Sequence, residues 1–260
     1  MKDSEYFISR HRGGERAILV HIDLPQKRHP TALAEFQELA SADALEVLSV
    51  ITGKRQAPEP KFFVGTGKAK EIAASGTASK AEVVILNHEL SPGQGRNLEK
   101  LLGVRVLDRT ELILDIFAKR ARTFEGKLQV ELAQLQHLST QLVRGWTHLE
   151  RQKGGIGLRG PGEKQLESDR RLIGMRIKMI KKRLEKVHRH REQGRRARQR
   201  AAIPTVSLVG YTNAGKSTLF NRVTQADVYA ADQLFATLDP TLRQLQLKKL
   251  GKILLADTVG

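Results

Sequence analysis

The chain has 260 residues, 40% of them apolar, with 45 Lys+Arg against 28 Asp+Glu and no cysteine. That length accommodates two domains, and the lack of cysteine excludes a disulfide framework and thiolate chemistry. Nowhere do 18 apolar residues run together, and the first thirty residues hold no apolar signal core, so no membrane segment and a cytoplasmic location are expected.

Residues 1–15 are polar. Arg16 to Leu24 reads as a strand, and Thr31 to Leu48, with Leu33, Phe36, Leu39, Ala40 and Leu48, as a helix packed on a sheet. A second strand follows near Leu48 to Thr52, then a loop at Pro58-Glu59-Pro60 and a helix near Lys68 to Ser75. A strand at Glu82 to Leu86, a helix near Pro92 to Leu102 and a strand at Val104 to Leu107 come next. Thr110 is the expected cap of a helix running to about Ala121. Alternation of strand and helix predicts a small, parallel-type α/β domain. Val64-Gly65-Thr66-Gly67-Lys68 resembles half a phosphate loop but has neither the spacing nor a hydroxyl residue after the lysine. It reads as a loop before a helix, with an RNA-backbone contact as the alternative. Asn87-His88-Glu89-Leu90-Ser91 ends a strand, where sites often form, but one His and one Glu without a partner favour an ordinary loop.

From residue 127 the pattern changes. Leu128, Leu132, Leu135, Leu142, Trp146 and Leu149 recur mostly at steps of three and four, and Leu166, Ile173, Ile177, Ile180, Leu184 and Val187 repeat the pattern beyond a glycine stretch at 154–162. Two helices burying these stripes on each other make an antiparallel hairpin. Residues 151–200 hold 18 Lys+Arg and 5 Asp+Glu, a net +13 of the chain's +17. Arg159, Arg170, Arg171, Lys181, Lys182 and Arg183 are the candidate RNA-binding cations, through phosphate contacts; a solvated or solubilising basic face is the alternative. Aromatic residues are not interleaved with them, so shape and backbone recognition of folded RNA fits better than base stacking. The eight histidines are dispersed, and His188-x-His190 lacks acidic or cysteine partners, which argues against a metal cluster.

The apolar run Thr205 to Val209 leads into Gly210-Tyr211-Thr212-Asn213-Ala214-Gly215-Lys216-Ser217-Thr218 and a helix-like Leu219 to Val223. Strand, G-x-x-x-x-G-K-S and helix start form a phosphate loop, in which backbone N–H groups of Asn213 to Thr218 and the helix dipole meet an anion. Lys216 would reach the β- and γ-phosphates and Ser217 would ligate Mg²⁺. Downstream, Thr237 lies in a loop at Leu234 to Thr241, and a strand at Lys252 to Ala256 ends in Asp257-Thr258-Val259-Gly260. Asp257 sits where a second-strand carboxylate holds the Mg²⁺ shell, and the Gly260 N–H faces a γ-phosphate. The order and spacing look like a switch system governed by γ-phosphate and Mg²⁺. Candidate catalytic residues are Lys216 and Thr237; candidate metal ligands are Ser217, Thr237 and Asp257. The nucleotide set is Gly210, Asn213, Ala214, Gly215, Lys216, Ser217, Thr218, Phe235, Thr237, Asp257 and Gly260.

Phe-Ala-Thr-Leu-Asp-Pro-Thr at 235–241 and the loop at 210–218 resemble the Obg–HflX family of translational GTPases. Gly154-Gly155-Ile156-Gly157-Leu158-Arg159-Gly160-Pro161-Gly162-Glu163, followed by Gln165-Leu166-Glu167 and Asp169-Arg170-Arg171, narrows the resemblance to the HflX branch. It covers nearly the whole chain. The family's Asn-Lys-x-Asp guanine-reading box is not among these residues, so preference for guanine is implied by the resemblance alone. The implied organisation is α/β: an N-terminal α/β domain at 1–122, a basic helical hairpin with a glycine-rich tip at 123–202, and the first part of a P-loop GTPase domain at 203–260.

The resemblance implies a monomeric GTP hydrolase that uses Mg²⁺, binds the large ribosomal subunit and its rRNA, and splits stalled ribosomes under stress. Its GTP form is the active one and hydrolysis releases it. Residues 1–260 alone are expected to bind nucleotide weakly and to be inactive. Two alternatives belong to other classes: a non-enzymatic RNA- or ribosome-binding fragment, and an ATP-using RNA-remodelling enzyme, since a phosphate loop does not itself choose a base.

Overall fold

A computed structural model describes residues 14–25, 32–152, 161–200, 203–225, 233–247 and 251–258, and side chains within them except at 143–152, 161–166 and 197–199. Two compact units are present: residues 1–115 with 133–176, and residues 116–132 with 177–260.

The first unit is built on β1 (Arg16–Asp23), α1 (Ala32–Ala42), β2 (Glu46–Lys54), α2 (Thr66–Ser79), β3 (Val83–Leu86), α3 (Pro92–Leu102) and β4 (Arg105–Asp108). The strands form an all-parallel sheet in the order β2-β1-β3-β4. Ala17 to Ile22 is buried without a break, as a central parallel strand covered on both faces requires. On one face Ile18, Val20, Val84 and Leu86 pack with Ala69 and Ile72 of α2 and Leu98 of α3. The alternate residues Ala17, Leu19, Val83 and Ile85 are buried too, as are Phe36 and Leu39 of α1.

Several boundaries shift from expectation, and at three helix ends the cause is visible. α1 ends at Ala42 and Leu48 lies in β2, because Ala44 adopts φ 59° and Leu45 N donates back to Ala40 O (3.2 Å). This closes the helix by a left-handed residue where glycine is the usual signal. α2 runs past Ser75 to Ser79, with Lys80 in the same role at φ 53°. Thr110 is not a cap. α4 (Arg109–Arg120) starts two residues earlier than that cap would set, capped by Asp108 Oδ1, which accepts from Glu111 N (2.8 Å) while Glu111 Oε2 accepts from Asp108 N (3.1 Å). α3 follows its sequence signals, with Pro92 at its start, a reciprocal Ser91–Gln94 capping box and Gly103 at its end.

α5 (Phe124–Gln152) and α6 (Pro161–Arg200) pass from one unit to the other. α6 has 40 residues, about 60 Å at 1.5 Å per residue. Leu128, Leu135, Ile173 and Ile180 of the expected stripes are buried. Arg191 Nη2 of α6 pairs with Glu125 Oε2 in the first turn of α5 (2.7 Å), so the end of α6 runs beside the start of α5 and the two are antiparallel.

The second unit also carries β5 (Thr205–Leu208), α7 (Lys216–Thr224), β6 (Thr241–Leu247) and β7 (Gly251–Asp257). Their sheet has the order β5-β7-β6, with β5 parallel and β6 antiparallel to the central β7. β6 was not expected from the sequence. Its alternation Leu242, Gln244, Gln246 against Thr241, Arg243, Leu245 carries apolar residues on both faces, which hides a period of two. Among the described residues no helix is long and apolar enough to cross a membrane.

Candidate functional site

At the C-terminal end of β5 the chain turns through Gly210 to Gly215 into α7. Asn213 (φ 59°) and Gly215 (φ 78°) are both left-handed, the alternation that turns successive amides toward one point. Lys216, Ser217 and Thr218 form the first turn of α7, where N–H groups have no acceptor within the helix. Residues 212–218, Gln233, Phe235, Ala236, Thr237 and Thr258 line one concavity. Lys216 Nζ donates to Gly210 O (3.0 Å) and Tyr211 O (2.6 Å), so the ammonium lies over the loop.

β7 delivers Asp257 to the same place. Parallel pairing sets Asp257 opposite Leu208, and Thr258 Oγ1 donates to Leu208 O (2.6 Å), which fixes the strand end beside the loop. Ser217 Oγ donates to Asp257 Oδ2 at 2.6 Å and, with its own hydrogen so used, accepts from Thr237 Oγ1 at 2.6 Å. Asp257 is fully buried, and its Oδ1 has no hydrogen-bond partner among the described residues. An unsatisfied buried carboxylate oxygen beside two hydroxyls is a hard, all-oxygen donor set, and it fits Mg²⁺. Among the described residues no group of three or more His, Cys, Asp or Glu gathers into another metal site.

The structure therefore brings together Gly210, Asn213, Ala214, Gly215, Lys216, Ser217, Thr218, Phe235, Thr237 and Asp257. Gly260 and Arg159 lie outside the described residues. Arg170, Arg171, Lys181, Lys182 and Arg183 are all exposed along α6. Further along α6, Arg189 and Arg196 pair with Glu185 and Glu192 at helical spacing.

Sequence reasoning missed how the loop around Thr237 is held. Asp239 Oδ2 accepts from the N–H groups of Arg122 (2.7 Å) and Thr123 (2.8 Å), and its Oδ1 accepts from Thr123 Oγ1. Burial raises the Asp239 carboxyl, but the Thr123 hydroxyl and N–H, the Arg122 N–H and the charge of Arg191 outweigh it and leave the group below the ordinary carboxylate range. Phe235 (φ 55°) meets Phe117 edge to face at 5.0 Å, and Arg120 Nη2 donates to Gln233 Oε1. The partners lie more than 110 residues apart in sequence, and no local pattern announces the contacts.

The two weaker motifs of the first unit are internally occupied. Gly65 (φ 87°) sits under the Arg55 guanidinium, whose Nη1 donates to Val64 O, and Lys68 pairs with Glu71 at 2.8 Å. His88 Nε2 donates to Ile22 O (2.7 Å) and stacks on Phe63, while Asn87 Nδ2 donates to His21 Nδ1 (2.9 Å).

Three family models match the chain: the GTP-binding GTPase N-terminal region at residues 30–118, the GTP-binding GTPase middle region at 120–198, and a 50S ribosome-binding GTPase at 205–260. GTPase HflX of Escherichia coli is 66% identical over 251 residues, a match covering 96% of this chain and 59% of that protein. GTPase HflX of Magnetococcus marinus is 50% identical over 257 residues, covering 97% and 60%. The chain thus spans about three fifths of the length of these curated relatives. A solved complex of SsGBP with GDP shares its fold at a TM-score of 0.54 and 24% identity, over 94% of this chain and 63% of that one. A GTP-binding protein from Sulfolobus solfataricus, also with GDP, gives 0.50 and 24% over 95% and 61%.

Proposed function

The chain belongs to the HflX family of GTPases, and on that premise we propose that it binds and hydrolyses GTP at the 210–218 loop. The Ser217–Thr237–Asp257 contact set carries this reading, because it joins the phosphate loop, the Thr237 loop and the second strand in one oxygen-lined point. Amides of residues 213–218 hold the phosphate chain. Lys216 exchanges the carbonyls of Gly210 and Tyr211 for phosphate oxygens and neutralises charge that builds on them. Ser217 and Thr237 are the hydroxyl ligands and Asp257 the carboxylate that would hold Mg²⁺. When bound, that ion supplies charge neutralisation on the phosphates and a template for the Thr237 loop.

We assign residues 1–122, 123–202 and 203–260 to an N-terminal domain, a basic hairpin and the nucleotide-binding part. The protein acts on the large ribosomal subunit, with exposed Arg170, Arg171, Lys181, Lys182 and Arg183 on rRNA phosphates. The GTP form separates stalled ribosomes into subunits under stress, and hydrolysis releases the protein, which works as a cytoplasmic monomer. The exposed basic face of α6 also favours a second reading, RNA binding without an enzymatic cycle.

The test is a density-gradient run of intact ribosomes with the full-length protein and GTP, GDP or a non-hydrolysable GTP analogue. Subunit separation with GTP and the analogue, but not GDP, is the expected result. Association that is indifferent to nucleotide would favour the second reading, and stronger competition by ATP than by GTP would overturn the choice of base.

A further inference from the structure

We propose that Asp239 is a positioning residue that sets Thr237 for the nucleotide site and ties that site to the first turn of α5. The proposal rests on the nucleotide reading of residues 210–218, Thr237 and Asp257.

Thr237 lies two residues from Phe235 and two from Asp239, and these neighbours are held by the last turn of α4 and by the segment that joins it to α5. Phe235 packs edge-on against Phe117, and Gln233 accepts from Arg120. The Asp239 carboxylate takes three hydrogen bonds from Arg122 and Thr123. A carboxylate fixed by three donors is a strong, directional anchor. With residues 233, 235 and 239 held, the reach of the Thr237 hydroxyl to Ser217 is set by the α4–α5 segment as much as by the phosphate loop.

Thr123 has two roles in this arrangement. Its Oγ1 accepts from Gly126 N (3.0 Å), making it the N-cap of α5, while the same hydroxyl donates to Asp239. Gly126 is explained by the same contact: a Cβ there would stand 2.1 Å from Asp239 Oδ1. Glycine otherwise weakens a helix relative to alanine, so its place in the first turn fits close approach of the carboxylate. One residue before it, Glu125 pairs with Arg191 of α6 at 2.7 Å. A displacement of Thr237 therefore either withdraws Asp239 from the amides of residues 122 and 123 or carries the first turn of α5 with it, toward the basic helix.

The experiment follows hydrogen exchange of residues 118–130 in the full-length protein, with Mg²⁺ and either GDP or a non-hydrolysable GTP analogue. Affinity for each nucleotide is measured alongside. In the unaltered protein the two nucleotides should give different protection in this segment. Asp239→Ala and Gly126→Ala should each abolish the difference and lower the preference for the analogue over GDP by roughly three- to thirtyfold, the range of a lost cap. GDP affinity should persist, being held by residues 210–218. The double variant should be no worse than either single one, since both remove one contact. Thr123→Ser, which keeps the hydroxyl, should retain the response. Unchanged protection and preference in both alanine variants would overturn the positioning role while leaving the nucleotide site in place. An unaltered protein that binds neither nucleotide would overturn the site reading and this inference with it.

Discussion

Ser217 donates to one carboxylate oxygen of Asp257 at 2.6 Å, and the other oxygen of Asp257 is buried without a partner among the described residues. A carboxylate in that condition is incomplete as a structural element and suited to a cation. Asp257→Asn should therefore remove most of the Mg²⁺-dependent gain in nucleotide affinity, by about 10- to 100-fold. Fluorescent GDP titrated with Mg²⁺ and with EDTA checks this: the variant and the unaltered protein should differ with the metal and converge without it.

Lys216→Ala removes the ammonium that bridges Gly210 O and Tyr211 O. Charge-assisted contacts of a lysine with phosphate are worth about 1.5–3 kcal/mol, so nucleotide affinity should fall by at least about tenfold. Unfolding of the first unit, followed by circular dichroism, should not change. Retained affinity in this variant would remove the nucleotide-site reading.

Replacing Lys181, Lys182 and Arg183 with glutamate should weaken ribosome association and flatten its dependence on salt. Loss of three phosphate contacts lowers the slope of log affinity against log salt by about two to three. A slope that does not move would place these side chains in solvent in the complex.

His137, on α5, lies 3.6 Å from Glu111 and beside Gln141. Its bond to Glu111 raises its pKa above the ordinary histidine value against the effect of burial, with Asp108, Glu111 and Glu89 adding attraction. A raised folded value means that the stabilisation is complete below about pH 6.5 and is lost as pH climbs through the folded value. Asp108 is raised by burial first and then by the charge of Glu111, so its contribution also declines with rising pH, from near pH 4 upward. His137→Gln should destabilise the protein at pH 5.5 and have less effect at pH 8.5, measured by urea unfolding. An equal effect at both values would mean that the imidazolium contributes nothing.

Phe36 is fully buried in α1. Phe36→Ala should cost about 3–5 kcal/mol of the first unit's stability, read from the same urea curves, and leave nucleotide affinity alone.

The elements of the parallel sheet were legible because Ala17 to Val20 and Val83 to Leu86 are unbroken apolar runs, and the phosphate loop because its spacing has few other uses. Helix ends were less so. Ala44 and Lys80 close helices in a left-handed conformation that neither residue type signals, and Asp108 caps α4 from the last position of a strand. Within the site, Ser217, Thr237 and Asp257 could be placed from order along the chain. Asp239 could not, because its partners are set by tertiary contacts across more than 110 residues, and nothing local to Asp-Pro specifies them.

α6 is one continuous 40-residue helix in which Ile173 and Ile180 are both buried. Each helical residue turns the chain by about 100°, so the helix has a rotational phase as well as a length. A single inserted residue between 173 and 180 would swing one of these isoleucines out of the buried stripe and turn its neighbour, Met179 or Gly174, toward that place. Seven inserted residues would restore the phase and leave the helix about 10 Å longer. Natural variation in the length of this helix should therefore come in steps of seven or eleven residues rather than one.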